Sequence, residues 1–245
     1  MKIALASAPV KNLDVEYNLS VMAAYIEHCR GRADIILFGE SVLQGFDCLC
    51  WDYAVDKSIA FSIHDAPISS MRYAARDNNI AVSFGFIEKK GNALYSSQVF
   101  IGSNGEIVNL FHRVSEGWKE YTKTDSHYRE GKAFKKFVYG GKSFATAICG
   151  DLWTEGRPSE MKALNADIVL WPVWCDYNYE EWNSSIKHEY AQQAELCGDR
   201  VLYVNPYCIH ASDYDIARGG AAYFSGGSIV KEMPAGKNGV LIVEV

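Results

Sequence analysis

Along this chain short apolar runs alternate with stretches whose apolar residues recur every three or four positions, the signatures of buried strands and one-faced helices. Lys2 to Val10 reads as a short buried strand ended at Pro9. Val15, Leu19, Met22 and Ile26 then share one face of a helix entered near Asn12 or Asp14 and stopped by Gly31. Asp34 to Phe38 is continuously apolar up to Gly39-Glu40-Ser41, which predicts a strand covered on both faces. Gly45 to Asp52 is a loop rich in aromatics and cysteine, and Pro67 to Asn78 reads as a helix with Ile68, Met71 and Ala75 on one side. Strands follow from Ile80 to Ile87, Ala93 to Ile101 and Ile107 to His112, the last two joined by a Ser103-Asn104-Gly105 hairpin turn.

The polar segment from Arg113 to Lys132 is too long for a tight turn, and Trp118, Tyr121 and Tyr128 within it predict an ordered loop. Strands from Phe134 to Val138 and from Ser143 to Ile148 lead to a break at Cys149-Gly150-Asp151, then a helix from Ser159 to Leu164. A strand from Asp167 to Val173 precedes a helix from Glu180 to Cys197, with Trp182, Ile186, Tyr190 and Ala194 on one face. Val201 to Asn205 and three closing strands, around 222–224, 227–230 and 240–245, complete the order. Strands and helices interleave throughout with no repeat or linker, which predicts one layered α/β domain over residues 1–245.

Composition narrows the function. Hydrophobic residues at 49% and charged residues at 22% suit a globular protein with a real core. A net charge of -6 argues against nucleic-acid binding, which calls for a basic patch. The lack of a long apolar run argues against a membrane span, and the first residues lack a signal-peptide core, so the expected location is the cytoplasm. Seven cysteines, with Cys48-Leu-Cys50 unanswered by a second pair, fit neither a zinc site nor a disulfide framework. The histidines show no metal pattern such as HExxH.

Three chemistry-bearing residues share a setting, each just past an apolar strand: Glu40, Arg113 and Cys149. Strand ends at one edge of a sheet are where open α/β folds assemble sites. A carboxylate, a cation and a thiol there supply a general base, an electrostatic stabiliser and a nucleophile. Asp151 reads as a capping or structural residue.

Nearly the whole chain resembles the nitrilase superfamily of carbon–nitrogen hydrolases. Leu37-Phe38-Gly39-Glu40 with Gly45-Phe46 resembles the family's first motif, Leu94-Tyr95-Ser96-Ser97 its Leu-Tyr-Asn-Ser strand, and Cys149-Gly150-Asp151-Leu152-Trp153 its nucleophile motif. Glu189-Tyr190-Ala191 through Asn205 resembles the family's late helix and strand. The resemblance implies a four-layer α-β-β-α sandwich, a Glu–Lys–Cys triad, no cofactor, a small-molecule amide, carbamoyl or nitrile substrate, and pairing of copies into a homodimer or higher oligomer. Two positions depart from it: Gly39 stands for a proline and Arg113 for the catalytic lysine. Arginine keeps the charge and can hold a carboxylate bidentately, but it does not give up a proton. The resemblance makes Glu40 the base, Cys149 the nucleophile, and Arg113 with the Gly150 N–H the oxyanion stabilisers. It places Trp174 and Cys175 in the substrate pocket, and Glu116, Glu120 or Asp125 as a second acidic residue, with Glu120 carried forward as the pocket candidate. The alternatives are a nitrilase-fold protein left with a binding or scaffold role by the Lys-to-Arg change, and a Cys–His–Glu amidotransferase using His188, against which the missing glycine before Cys149 counts.

Overall fold

The computed structural model describes residues 1–209 and 216–245. Side chains of a strand point alternately to its two faces, and here both faces are apolar. In β1 (Lys2–Ser7) and β3 (Ile35–Phe38), Ala4, Ala6, Ile36 and Phe38 face helices, while Ile3, Leu5, Ile35 and Leu37 face a second sheet. The first sheet runs β14 (Gly239–Glu244), β1, β3, β4 (Ala81–Lys90), β5 (Ala93–Ile101), β6 (Ile107–His112). The second runs β13 (Ser228–Met233), β12 (Ala221–Ser225), β10 (Val201–Val204), β9 (Ile168–Pro172), β8 (Lys142–Thr146), β7 (Lys136–Tyr139). Ile168, Leu170, Leu202 and Val204 meet the inner face of the first sheet, and Val169, Trp171, Val201 and Tyr203 face outward.

Helices cover both outer faces. α1 (Val15–Cys29) and α3 (Ala66–Asn78) bury Met22, Ile26, Ile68, Met71 and Ala75 on the first sheet. α4 (Arg157–Ala163) and a longer helix cover the second. The longer one comprises α5 (Tyr179–Glu181), a π-helical turn at Trp182–Ile186 and α6 (Lys187–Glu195). The result is the four-layer α-β-β-α sandwich.

The strand directions place the site. β1, β3 and β4 are parallel, and β6 regains their direction by two antiparallel steps through β5. β8, β9 and β10 are parallel in the second sheet. The residues following β3 and β6 therefore emerge at one edge of the first sheet, and those following β8 and β9 at one edge of the second. The N–H of Glu40 donates to the carbonyl of Val173 at 3.1 Å and joins the two edges.

Most predicted elements stand within a few residues of their expected bounds. The first strand instead divides at Ala8: β2 (Pro9–Val10) leaves the main sheet and pairs with β11 (Tyr207–Cys208). Proline has no N–H to continue the ladder. The loop after Gly45 holds a 3-10 turn at Phe46–Cys48 and a short helix, α2 (Tyr53–Asp56), capped by the Asp52 carboxylate on Ala54 N. Four residues carry too few apolar positions for a period to show. The segment after Arg113 is ordered as expected, with Trp118 and Tyr128 buried and Tyr121 exposed. Among the described residues no helix is long and apolar enough to cross a membrane.

Candidate active site

Beyond β8 the chain keeps one ladder bond, Ala147 N to Leu170 O at 2.9 Å, and then turns sharply. Cys149 opens a 3-10 turn, Cys149–Trp153, with a positive φ of 46°. A left-handed non-glycine residue costs energy and persists where its surroundings hold it. Two such holds are visible. Trp171 Nε1 donates to the Cys149 carbonyl at 2.9 Å, and the buried Asp151 carboxylate accepts from Ile148 N at 2.8 Å. The other oxygen of Asp151 accepts from Val114 N at 2.9 Å and Ser115 N at 2.7 Å. Asp151 thus clamps the cysteine turn to the Arg113 segment, the structural role its sequence position predicts. Burial pushes its carboxyl up to about 6, against the pull of Arg113 and of these backbone donors.

Glu40, Arg113 and Cys149 come together where the sheet edges meet. Glu40 is fully buried; its Oε1 accepts from Ser96 Oγ at 2.8 Å and Arg113 Nη1 at 2.9 Å. Its Oε2 is buried with no hydrogen-bond partner among the described residues. Arg113 is buried too, and its Nε donates to Ser115 Oγ at 2.8 Å. Its Nη2 lies so near Gly150 that a Cβ there would sit 2.8 Å from it. Burial works against the guanidinium charge, but Glu40, Cys149 and Asp151 around it hold Arg113 firmly protonated.

The Cys149 thiol donates to the Trp174 carbonyl at 3.6 Å. A hydrogen bond from the Cys175 thiol and the nearby Arg113 charge hold Cys149 below the ordinary thiol range, outweighing burial and the Glu40 charge. The same bond, with burial, holds Cys175 protonated well above that range. Two glycines permit the close approach of backbones. A Cβ at Gly85 would lie 2.8 Å from the Glu40 Cα, and one at Gly39 would lie 2.5 Å from Pro206 Cδ. The contact with Pro206 accounts for glycine, rather than proline, before Glu40.

A cavity of about 340 Å³ opens over the sulfur, walled by Trp153, Trp174, Cys175, Tyr177, Glu189 and Tyr190. Trp174 and Cys175 both line this cavity. Glu120 does not: it is exposed, outside this wall, and its carbonyl caps a turn by accepting from Lys123 N and Thr124 N. Lys119, bonded to the Tyr128 carbonyl and to Glu130, each at 2.7 Å, ties that part of the loop back on itself. Asp125 is likewise engaged with His127. Glu116 lines an adjoining cavity of about 710 Å³ that shares Gly150 with the first. His188 is exposed and absent from the pocket wall, so no Cys–His–Glu arrangement forms there.

Sequence reasoning passed over Ser96, Ser115, Trp153 and Glu189. Ser96 sits in the Leu94-Tyr95-Ser96-Ser97 motif and was legible there. Glu189 opens the Glu189-Tyr190-Ala191 stretch that resembles the family's late helix, but nothing in its neighbours marks it as a pocket residue.

The profile of the carbon-nitrogen hydrolase family matches residues 2–245. The chain belongs to that family. It is similar to an (R)-stereoselective amidase of Pseudomonas sp, 26% identical over 170 residues, an alignment spanning 69% of this chain and 59% of that enzyme. It is also similar to an aliphatic nitrilase of Rhodococcus rhodochrous, 25% identical over 100% of this chain and 72% of that protein. Among solved structures, an amidase from Nesterenkonia sp. superposes with a TM-score of 0.81 at 18% identity, over 100% of this chain and 90% of that one. That likeness establishes the nitrilase-type fold. Another similar structure is a mutant of the amidase from Nesterenkonia sp. AN1 with acrylamide added at its active-site cysteine.

Proposed function

We propose that this chain hydrolyses a non-peptide C–N bond, amide, carbamoyl or nitrile, through a thioester on Cys149. The observation that carries the reading is the division of labour on Glu40: one oxygen is held by Ser96 and Arg113, the other is buried and unpartnered, in a site close enough to Cys149 for the Glu40 charge to act on its thiol. Oε2 takes the thiol proton as Cys149 attacks the carbonyl or nitrile carbon. The charge that develops on the substrate oxygen or nitrogen is met by the Arg113 guanidinium and by the Gly150 N–H at the start of the 3-10 turn, where N–H groups lack intrahelical partners. With an amide or carbamoyl substrate Glu40 returns the proton to the leaving nitrogen and then activates the water that cleaves the thioester. A nitrile first gives a thioimidate, to which one water adds before ammonia leaves and a second water cleaves the thioester. Arginine stabilises charge here without relaying protons, which leaves proton traffic to Glu40.

The pocket supports a small substrate with an apolar or aromatic acyl group, since four aromatic side chains wall a volume in the range of small-molecule sites. The same reading includes a reducing cytoplasmic setting and pairing of copies through a helical layer. An ammonia-release screen over linear amides, N-carbamoyl compounds and nitriles tests it. Turnover of at least one class, lowered about 10²–10⁴-fold by Glu40→Gln, is the expected result for loss of a general base. No release from any class, with Cys149 no more reactive than the other thiols, would favour a binding role instead.

A further inference from the structure

Catalysis as proposed uses one thiol, yet the pocket holds two. Cys175 follows β9 in the wall of the nucleophile's cavity, and the Cys149 sulfur lies 3.6 Å from the carbonyl of Trp174, the residue just before Cys175. Its backbone is fixed on both sides by one side chain: Asn205 Oδ1 accepts from Cys175 N at 3.0 Å, and Asn205 Nδ2 donates to Cys175 O at 2.8 Å. Tyr190 Oη lies 3.3 Å from the Cys175 sulfur and packs behind it. The Cys149 backbone is held just as firmly by Trp171 and Asp151. Other thiols are placed differently: Cys50 donates to Asp56, and Cys197 to the carbonyl of Gln193.

We infer that Cys175 is a resolving thiol, and that Cys149 and Cys175 form a reversible disulfide when the protein meets hydrogen peroxide. Cys149 opens to a cavity and has a guanidinium close by, and a thiol so placed is the kind that peroxide oxidises first. In the first step the Cys149 thiolate attacks one peroxide oxygen and the O–O bond breaks, giving a sulfenic acid and hydroxide. In the second the Cys175 sulfur attacks the sulfenic sulfur, the S–O bond breaks, and the hydroxyl leaves as water with the Cys175 proton. Peroxide is the oxidant and the two thiols together supply two electrons. A disulfide brings the two sulfurs to about 2.05 Å, so the two side chains must turn toward each other across the cavity they share. The disulfide blocks the nucleophile while sparing it from sulfinic acid, which does not return to thiol unaided.

The inference rests on Cys149 being the reactive thiol of the proposed function, but its readout is mass rather than turnover. The full chain is treated with a slight excess of hydrogen peroxide, capped with N-ethylmaleimide and digested without reductant. The expected product is a peptide joining Cys149 to Cys175, lighter by two hydrogens, from which dithiothreitol regenerates both thiols. In Cys175→Ser the same treatment is expected to carry Cys149 to sulfinic acid that dithiothreitol does not reverse. A wild-type digest with sulfinic or unmodified Cys149 beside free Cys175, or with Cys175 joined to another cysteine, overturns the inference. If untreated protein releases no ammonia while the cross-link forms, the hydrolase reading fails and the disulfide stands.

Discussion

Replacing Arg113 by methionine removes the only side-chain cation within hydrogen-bonding distance of Glu40 among the described residues. Methionine fills much of the same volume, so the main loss is electrostatic. Glu40 keeps the Ser96 hydroxyl on Oε1 and nothing on Oε2, and it is fully buried. Breaking one side of a buried ion pair costs about 3–5 kcal/mol, because the partner charge stays in a low-dielectric site. With a urea m-value of about 3 kcal/mol/M for a chain of this size, the unfolding midpoint should fall by roughly 1–1.7 M. The pair is hardly exposed, so the fall should persist at high salt, where surface pairs are screened. The double variant Glu40→Gln, Arg113→Met leaves no lone charge and should unfold later than the sum of the single losses predicts, with a coupling of about 2 kcal/mol. Urea unfolding of the four proteins measures this. A midpoint change below about 0.3 M in Arg113→Met, or single losses that simply add, would refute the buried-pair account.

Arg113→Lys keeps the charge but cannot reach Glu40 and Ser115 with one fork; a stability loss of about 1 kcal/mol is expected for the forfeited Ser115 bond, with selective alkylation of Cys149 retained. In Gly150→Ala the new methyl would press on Arg113 Nη2, so turnover should drop about tenfold or more while the fold persists, read by kinetics alongside circular dichroism. Asp151 has a folded pKa of about 6, above the roughly 3.9 of an unfolded aspartate, so the native state binds the extra proton between those values. Its contribution is therefore full below about pH 4 and declines as pH rises through about 6; the urea-midpoint gap between wild type and Asp151→Asn should shrink over that interval. Iodoacetamide should alkylate Cys149 at lower pH than a free thiol of about 8.5, and Cys175→Ala should move that profile upward by removing the thiol that hydrogen-bonds it.

How much was legible in the chain follows from what each feature depends on. Apolar continuity at Asp34–Phe38 and 167–173 and the face set by Met22 and Ile26 are local patterns, and they were enough for the strands, the helices and the layered class. Glu40, Arg113 and Cys149 stand out as candidates in sequence because strand ends are visible there and the motif order marks the family. The position of Glu120, outside the cavity wall, was not legible because a loop's path depends on distant partners, here the bonds of Lys119 to Tyr128 and Glu130. Asp151 was readable as structural, but its joining of the cysteine turn to Val114 and Ser115 was not, because those partners lie far along the chain.

The sequence by itself determined the alternation of strands and helices, the residue types at three strand ends, and the exchange of lysine for arginine. Tertiary structure decided what those residues do to one another. Which way each sheet edge faces depends on pairing between distant strands, and only that pairing brings Val173 to Glu40 and turns Arg113 toward Gly150. The second thiol beside Cys149 belongs to the same category. Cys175 reaches the nucleophile because β8 and β9 run parallel in neighbouring positions, a relation that no local pattern encodes.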